Sequence, residues 1–235
     1  MEEIKLPVCE IFYSIDGEGA RTGSPAVFIR LFGCDLSCTY CDSKYACVKT
    51  NGVADCKDMT LDEILAAVEV FAPCKCITLT GGEPLIHHAA ADLVLLLRCK
   101  GYWVNIETNG ANDLREFINF QNKELPKQSA MDYFFTMDWK SISSGQAHKM
   151  LPHNLELLDT NDVLKFVVGN QEDLLQMKAT LEKYPEIDAQ IYVSPIWGAI
   201  EPSEIVEFLL NNKLVYVKVQ MQLHKLIWDS NMRGV

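Results

Sequence analysis

The chain has 235 residues, 49% of them hydrophobic and 23% charged, with a mean hydropathy of +0.02, proportions that exclude a disordered or fibrous protein. Its formal charge of −11 speaks against nucleic acid or an anionic membrane as partner, since both would repel it. No apolar run approaches the roughly 18 residues that span a bilayer, and Met1–Lys5 lacks the cationic start and apolar stretch of a leader, so a cytoplasmic protein is expected.

In chain order, a strand at Ala26–Phe32 is followed by a helix at Ile64–Phe71, announced by the capping box Thr60-Leu-Asp-Glu63. A strand at Cys76–Thr80 leads to a helix at His88–Lys100, which carries Leu93, Val94, Leu96 and Leu97 and stops at Gly101. The alternation continues with a strand at Tyr102–Glu107, a helix at Asn112–Phe120 and strands at Tyr133–Asp138 and Val163–Val168. A helix at Gln171–Tyr184, a strand at Gln190–Ser194, a helix opened by Pro202 and running to Asn211, and a strand at Leu214–Met221 complete the pattern. Strand–helix units of about 30 residues imply right-handed crossovers and a mostly parallel sheet. The nearly continuous apolar strands suggest cover on both faces. No linker or repeat divides residues 1–235, so a single α/β domain is expected, with function at the carboxyl ends of its strands.

All nine cysteines fall within the first 99 residues. An odd number in a chain without a leader points to metal or redox chemistry rather than a disulfide scaffold. Cys34-Asp-Leu-Ser-Cys38-Thr-Tyr-Cys41 follows the first strand. Three thiolates on one tight loop can hold three corners of a cuboidal iron–sulfur cluster and leave the fourth iron open; a structural zinc would need a fourth protein ligand. Thr80-Gly81-Gly82-Glu83-Pro84 ends the second strand, where paired glycines admit close approach to the main chain and Glu83 suits an ammonium. Cys9 and Cys99 read as small buried apolar residues. Cys47, Cys56, Cys74 and Cys76 match no metal-site spacing, His87 and His88 read as surface residues at a helix start, and Trp139, Trp197 and Trp228 read as packing residues.

C-x3-C-x2-C with Tyr40 before its last cysteine, together with the Gly-Gly-Glu-Pro turn, resembles the signature of radical S-adenosylmethionine enzymes. Glu10–Gly19, Thr22–Cys34, Cys41–Ala46, Glu107–Gly110, Met137–Lys140, Ser143–Gly145, Val193–Pro195 and Gln222–Lys225 are further similar to the 7-carboxy-7-deazaguanine synthase family. That resemblance implies a partial, modified (β/α) barrel of mostly parallel strands, with a segment at about 222–235 capping the substrate. It implies a lyase of queuosine-type 7-deazapurine biosynthesis that converts 6-carboxy-5,6,7,8-tetrahydropterin to 7-carboxy-7-deazaguanine by radical ring contraction and loss of ammonia. A [4Fe–4S] cluster, S-adenosyl-L-methionine and Mg2+ are the implied cofactors; a flavodoxin-type electron donor and a homodimer are the implied partners.

Residue by residue, the resemblance implies Cys34, Cys38 and Cys41 as cluster ligands. It implies Tyr40, Cys41, Asp42, Gly82, Glu83, Asp138, Trp139, Lys140 and Ser194 around S-adenosylmethionine, and Ser43 as the Mg2+ ligand. Ile15, Asp16, Gly17, Glu18, Arg30, Thr80, His224 and the terminal carboxylate of Val235 would surround the pterin. Asp16 stands where the family usually has Gln, and Ser43 where many members have Thr. Two other classes fit parts of the pattern: a radical activase of a partner protein, which the Ile15–Gly19 and His224 regions do not support, and a non-enzymatic metal-binding module, which labile sulfide would exclude.

Overall fold

Along the central strands, apolar side chains buried in the core recur at every second position: Val27, Ile29 and Leu31; Ile77 and Leu79; Val104 and Ile106; Phe135, Met137 and Trp139; Leu164, Phe166 and Val168. A strand's period of two sends the residues between them to the opposite face, and these include Arg30, Thr78, Thr80, Asn105, Glu107, Thr136, Asp138, Lys140 and Lys165. The sheet therefore has one apolar face under the helices and one polar concave face. Most residues of both faces are buried, as cover on both faces requires, although one of the two faces is largely polar.

The computed structural model describes residues 3–126, 132–229 and 232–235. It orders β1 (Lys5–Ile15), β2 (Pro25–Leu31), α1 (Lys44–Cys47), β3 (Lys57–Thr60), α2 (Leu61–Glu69), β4 (Cys76–Gly81), α3 (Ala89–Cys99), β5 (Trp103–Thr108) and α4 (Leu114–Glu124). Next come β6 (Tyr133–Lys140), β7 (Val163–Val168), α5 (Gln171–Lys183), β8 (Gln190–Pro195), α6 (Pro202–Asn211), β9 (Val217–Val219) and α7 (Leu223–Ile227), with short 3-10 turns between. The 9-stranded sheet runs β3-β1-β2-β4-β5-β6-β7-β8-β9. β1 pairs antiparallel with β2 and β3, and every pairing from β2 to β9 is parallel. With β3 and β9 as its edges the sheet is open, as a partial barrel requires.

Local chemistry sets the boundaries. Thr60 accepts from Glu63 N–H at 3.1 Å while the Glu63 carboxylate accepts from Thr60 N–H at 2.8 Å, the reciprocal cap that starts α2. Gly101, at φ 75°, ends α3 in the left-handed region. Ala90, Leu93, Val94 and Leu97 of α3 are fully buried against the apolar face, and truncating one such leucine to alanine costs about 2–5 kcal/mol. Cys99, expected inside, is exposed, because it lies at the end of α3 beyond that buried stripe. Among the described residues no helix is long and apolar enough to cross a membrane.

Candidate active site

Three segments leave the carboxyl edge of the sheet side by side and hold one another through their main chains. Beyond β2, Gly33 N–H donates to the Ala46 carbonyl at 2.7 Å, and the Gly33 carbonyl accepts from Glu83 N–H at 2.8 Å. Gly82 N–H donates to the Leu31 carbonyl at 3.0 Å. A Cβ on Gly82 would lie 2.2 Å from the Gly33 carbonyl oxygen, and one on Gly81 2.2 Å from that of Leu31. Rather than only opening the main chain to a ligand, as their sequence suggests, these glycines let the cysteine loop and the end of β4 touch.

Glu83 is completely buried. Its carboxylate accepts from Leu85 N–H and the Thr108 hydroxyl, each at 2.9 Å, and from Asn109 N–H at 2.6 Å. Burial pushes its pKa up to about 8 despite those donors. The residue thus staples β4 to the end of β5 at the place where an ammonium is expected.

The cysteine loop is fixed on two sides. Thr39 N–H donates to the Ser144 carbonyl at 3.2 Å, and Asn109 Nδ2 reaches Asp35 at 2.8 Å and the Cys34 sulfur at 3.8 Å. Cys47, which no spacing rule connected with this site, lies among these thiols. Its Sγ is 3.8 Å from Cys41 Sγ, and hydrogen bonding from it is the main cause that draws Cys41 down to about 6 and Cys34 down to about 7. Burial pushes Cys38 up instead. Ser43 Oγ lies 3.9 Å from Cys41 Sγ and 3.5 Å from Asp42 Oδ1. Asp42 pairs with Lys225 at 3.0 Å.

On the concave face the register places Arg30 beside Thr80, Asp138 beside Lys165, and Val167 between Lys140 and Ser194. Lys165 Nζ lies 3.1 Å from both Glu18 and Asp138, and Asp138 also meets Lys140 Nζ at 2.7 Å. Burial would raise the Asp138 carboxyl, but Lys140 and Lys165 overcome it and hold the group at about 2. Tyr40 is half-buried near Lys140, and burial pushes its phenol up. Glu107 lies on the same face of the sheet, its carboxyl pushed up by burial. Arg30 pairs with Glu10 at 2.8 Å, and His224 lies against Gly17.

The surroundings of three further expected contacts are as follows. Trp139 alternates with Asp138 and Lys140, so its indole is buried in the apolar core on the far side of the sheet. Ile15 pairs with Pro25 at the amino end of β2, the opposite end from Arg30. The Asp16 carboxylate is taken up by Arg21 at 2.8 Å and the Thr78 hydroxyl at 2.6 Å. Val235 is half-buried; nearby, Arg233 stacks on the Tyr45 ring at 3.5 Å and pairs with Asp55 at 3.0 Å. Ser230 and Asn231 of the expected capping segment lie outside the described residues. Lys165 had a legible signal, a lone charge inside an otherwise apolar strand.

Residues 28–122 match the model of the Radical SAM superfamily. A 7-carboxy-7-deazaguanine synthase of Clostridium acetobutylicum is 40% identical over 97% of this chain and 98% of its own length. The chain belongs to the 7-carboxy-7-deazaguanine synthase family. The family's protein from Chlorobaculum tepidum is 35% identical over 99% of both chains. The crystal structure of QueE from Escherichia coli shares the fold, with a TM-score of 0.70, 23% identity and coverage of 93% of this chain and 94% of that one.

Membership in a 7-carboxy-7-deazaguanine synthase family of radical S-adenosylmethionine enzymes implies a [4Fe–4S] cluster and S-adenosylmethionine, and the donor set fits them. Three thiols stand on one loop at the open end of the sheet, two of them drawn toward the thiolate form that ligation requires. Glu18 Oε1 and Ser194 Oγ are buried without a hydrogen-bond partner. Such orphans cost about 1–3 kcal/mol each, which a polar ligand at these atoms would relieve.

Proposed function

We propose that this chain converts 6-carboxy-5,6,7,8-tetrahydropterin to 7-carboxy-7-deazaguanine and ammonia. The two sides balance without a net oxidant. When bound, the cluster and S-adenosylmethionine supply an organic radical that removes hydrogen from the substrate carbon, chemistry no side chain provides. The observation that carries the reading is the convergence, at one open sheet end, of the three-thiol loop, the buried Glu83 and the Lys165-linked carboxylates Glu18 and Asp138.

Cys34, Cys38 and Cys41 would hold the cluster. Tyr40, Asp42, Glu83, Asp138, Lys140 and Ser194 would position S-adenosylmethionine, Asp138 being kept charged by its two lysines. The free oxygen of Glu18 suits the donor edge of a pterin, and Arg30 with His224 suits its carboxylate. Thr80 and Gly17 complete the wall, Gly17 by leaving room for His224. The segment around 222–235 would cover the pocket, held down by Arg233 on Tyr45 and Asp55. Ser43, beside Asp42, offers an oxygen to Mg2+, which keeps several waters. A flavodoxin-type electron donor, a homodimer and one domain over residues 1–235 belong to the same reading.

Anaerobic iron and sulfide analysis, followed by incubation with S-adenosylmethionine and a strong reductant, tests it. Iron and labile sulfide in roughly equal amounts with cleavage of S-adenosylmethionine are expected. Zinc without sulfide would refute the reading.

A further inference from the structure

Cys47 ends α1, and its thiol returns to the loop that bears the cluster ligands, 3.8 Å from Cys41 Sγ. It is held there from two directions. Cys47 Sγ donates to the Ser43 carbonyl at 3.4 Å, and α1 is fixed by the Ala46 carbonyl accepting from Gly33 N–H at 2.7 Å and by the Tyr45 hydroxyl donating to Glu10. Both residues are half-buried rather than sealed inside. A separation of 3.8 Å is van der Waals contact, and side-chain torsions must supply the remaining approach to the roughly 2.05 Å of a disulfide.

We propose that Cys47 is the resolving thiol of the cluster-free chain: under oxidation it forms a disulfide with Cys41 and so withholds one cluster ligand until it is reduced. The oxidant is a low-molecular-weight disulfide. The Cys41 thiolate attacks one of its sulfurs and expels a small thiol, leaving a mixed disulfide on Cys41. Cys47 then gives up its proton, attacks the Cys41 sulfur and expels the second small thiol. Two protein thiols become one disulfide, one small disulfide becomes two small thiols, and the protein's two protons leave on those thiols. With the cluster in place Cys41 is engaged, so the bridge belongs to the empty chain alone. Its effect on assembly rests on Cys41 being a ligand; the bridge itself does not.

The test uses the full chain stripped of iron and treated with oxidised glutathione. Remaining thiols are alkylated and the chain is digested with trypsin, which cuts after Lys44 and so separates Cys41 from Cys47. A cross-linked peptide pair whose fragmentation assigns Cys41–Cys47 is expected. Cys47→Ser should instead carry glutathione on Cys41. Transfer of a cluster from a loaded scaffold protein, without added thiol, should be at least tenfold slower into the bridged chain and recover after reduction with a phosphine. An alkylated Cys47, or a Cys34–Cys47 bridge, would overturn the proposal. Undiminished transfer into a correctly bridged chain would overturn the assembly lock, and with it the ligand role of Cys41.

Discussion

The imidazole of His224 stands where any side chain at position 17 would have to go: a Cβ on Gly17 would lie 2.5 Å from its Nδ1. The main chain reinforces the arrangement, since Leu223 N–H donates to the Gly17 carbonyl at 3.1 Å. Burial lowers the His224 pKa, so at neutral pH the ring acts through hydrogen bonds rather than charge. Gly17→Ala should therefore displace His224 and raise the KM for the pterin about tenfold, the scale of one hydrogen bond to a charged group. The melting temperature should move little. Steady-state kinetics at saturating S-adenosylmethionine make the check, and an unchanged KM would remove His224 from the pocket.

Lys165 is the counter-charge that makes two carboxylates tolerable on the concave face. Lys165→Met leaves Glu18 and Asp138 without it, and breaking a buried pair of this kind costs about 3–5 kcal/mol. The pH dependence gives a sharper signature. Because Asp138 titrates at about 2 in the folded chain, below its ordinary value, it contributes stability that is present above about pH 4 and lost as pH falls toward 2. Lys165, held well above its ordinary range by Asp138 and Glu18 against the effect of burial, contributes at every pH below that range. In Lys165→Met the folded-state pKa of Asp138 moves back toward its ordinary value, so the acid limb of the stability profile should become shallower. Parallel profiles for the two proteins in denaturant titrations would contradict this account.

Gly82 is a close-packing position. With 2.2 Å between its would-be Cβ and the Gly33 carbonyl, Gly82→Ala must push the cysteine loop off β4. The expected cost is about 3 kcal/mol, or a fall in melting temperature of roughly 5–10 °C, together with loss of bound iron. Full cluster occupancy in this variant would show that the loop does not depend on the contact.

Cluster ligation separates the cysteines cleanly. Cys38→Ala should abolish both the cluster absorbance and turnover, whereas Cys99→Ala, changed on the exposed end of α3, should keep both within about twofold, as surface substitutions do. Comparable losses in the two variants would defeat the ligand assignment.

Where one local force dominates, sequence shows the outcome directly. The Thr60–Glu63 box, Gly101 and Pro202 mark helix ends that the structure keeps, and the cysteine spacing with the Gly-Gly-Glu-Pro turn marks two segments that the structure sets side by side. β1 is not legible because the register shifts between Val8 and Glu10, a bulge that breaks the alternation a reader counts on. β3 has only four residues, two of them Lys57 and Asp58, so it looks like loop. Trp139 packs in the core as its reading as a packing residue expects, while strand geometry sends its neighbours Asp138 and Lys140 to the other face. Cys47 joins the site through the turn of α1, a three-dimensional fact that no spacing rule encodes.

The central claim is a ring contraction carried out beside an iron–sulfur centre, and the mass of the product tests it most directly. Reconstituted chain, S-adenosylmethionine, Mg2+, a reductant and 6-carboxy-5,6,7,8-tetrahydropterin, incubated without oxygen, should yield a compound lighter than the pterin by the mass of ammonia, with none formed by Cys38→Ala. Recovery of the pterin unchanged by a cluster-loaded protein that cleaves S-adenosylmethionine would contradict the account.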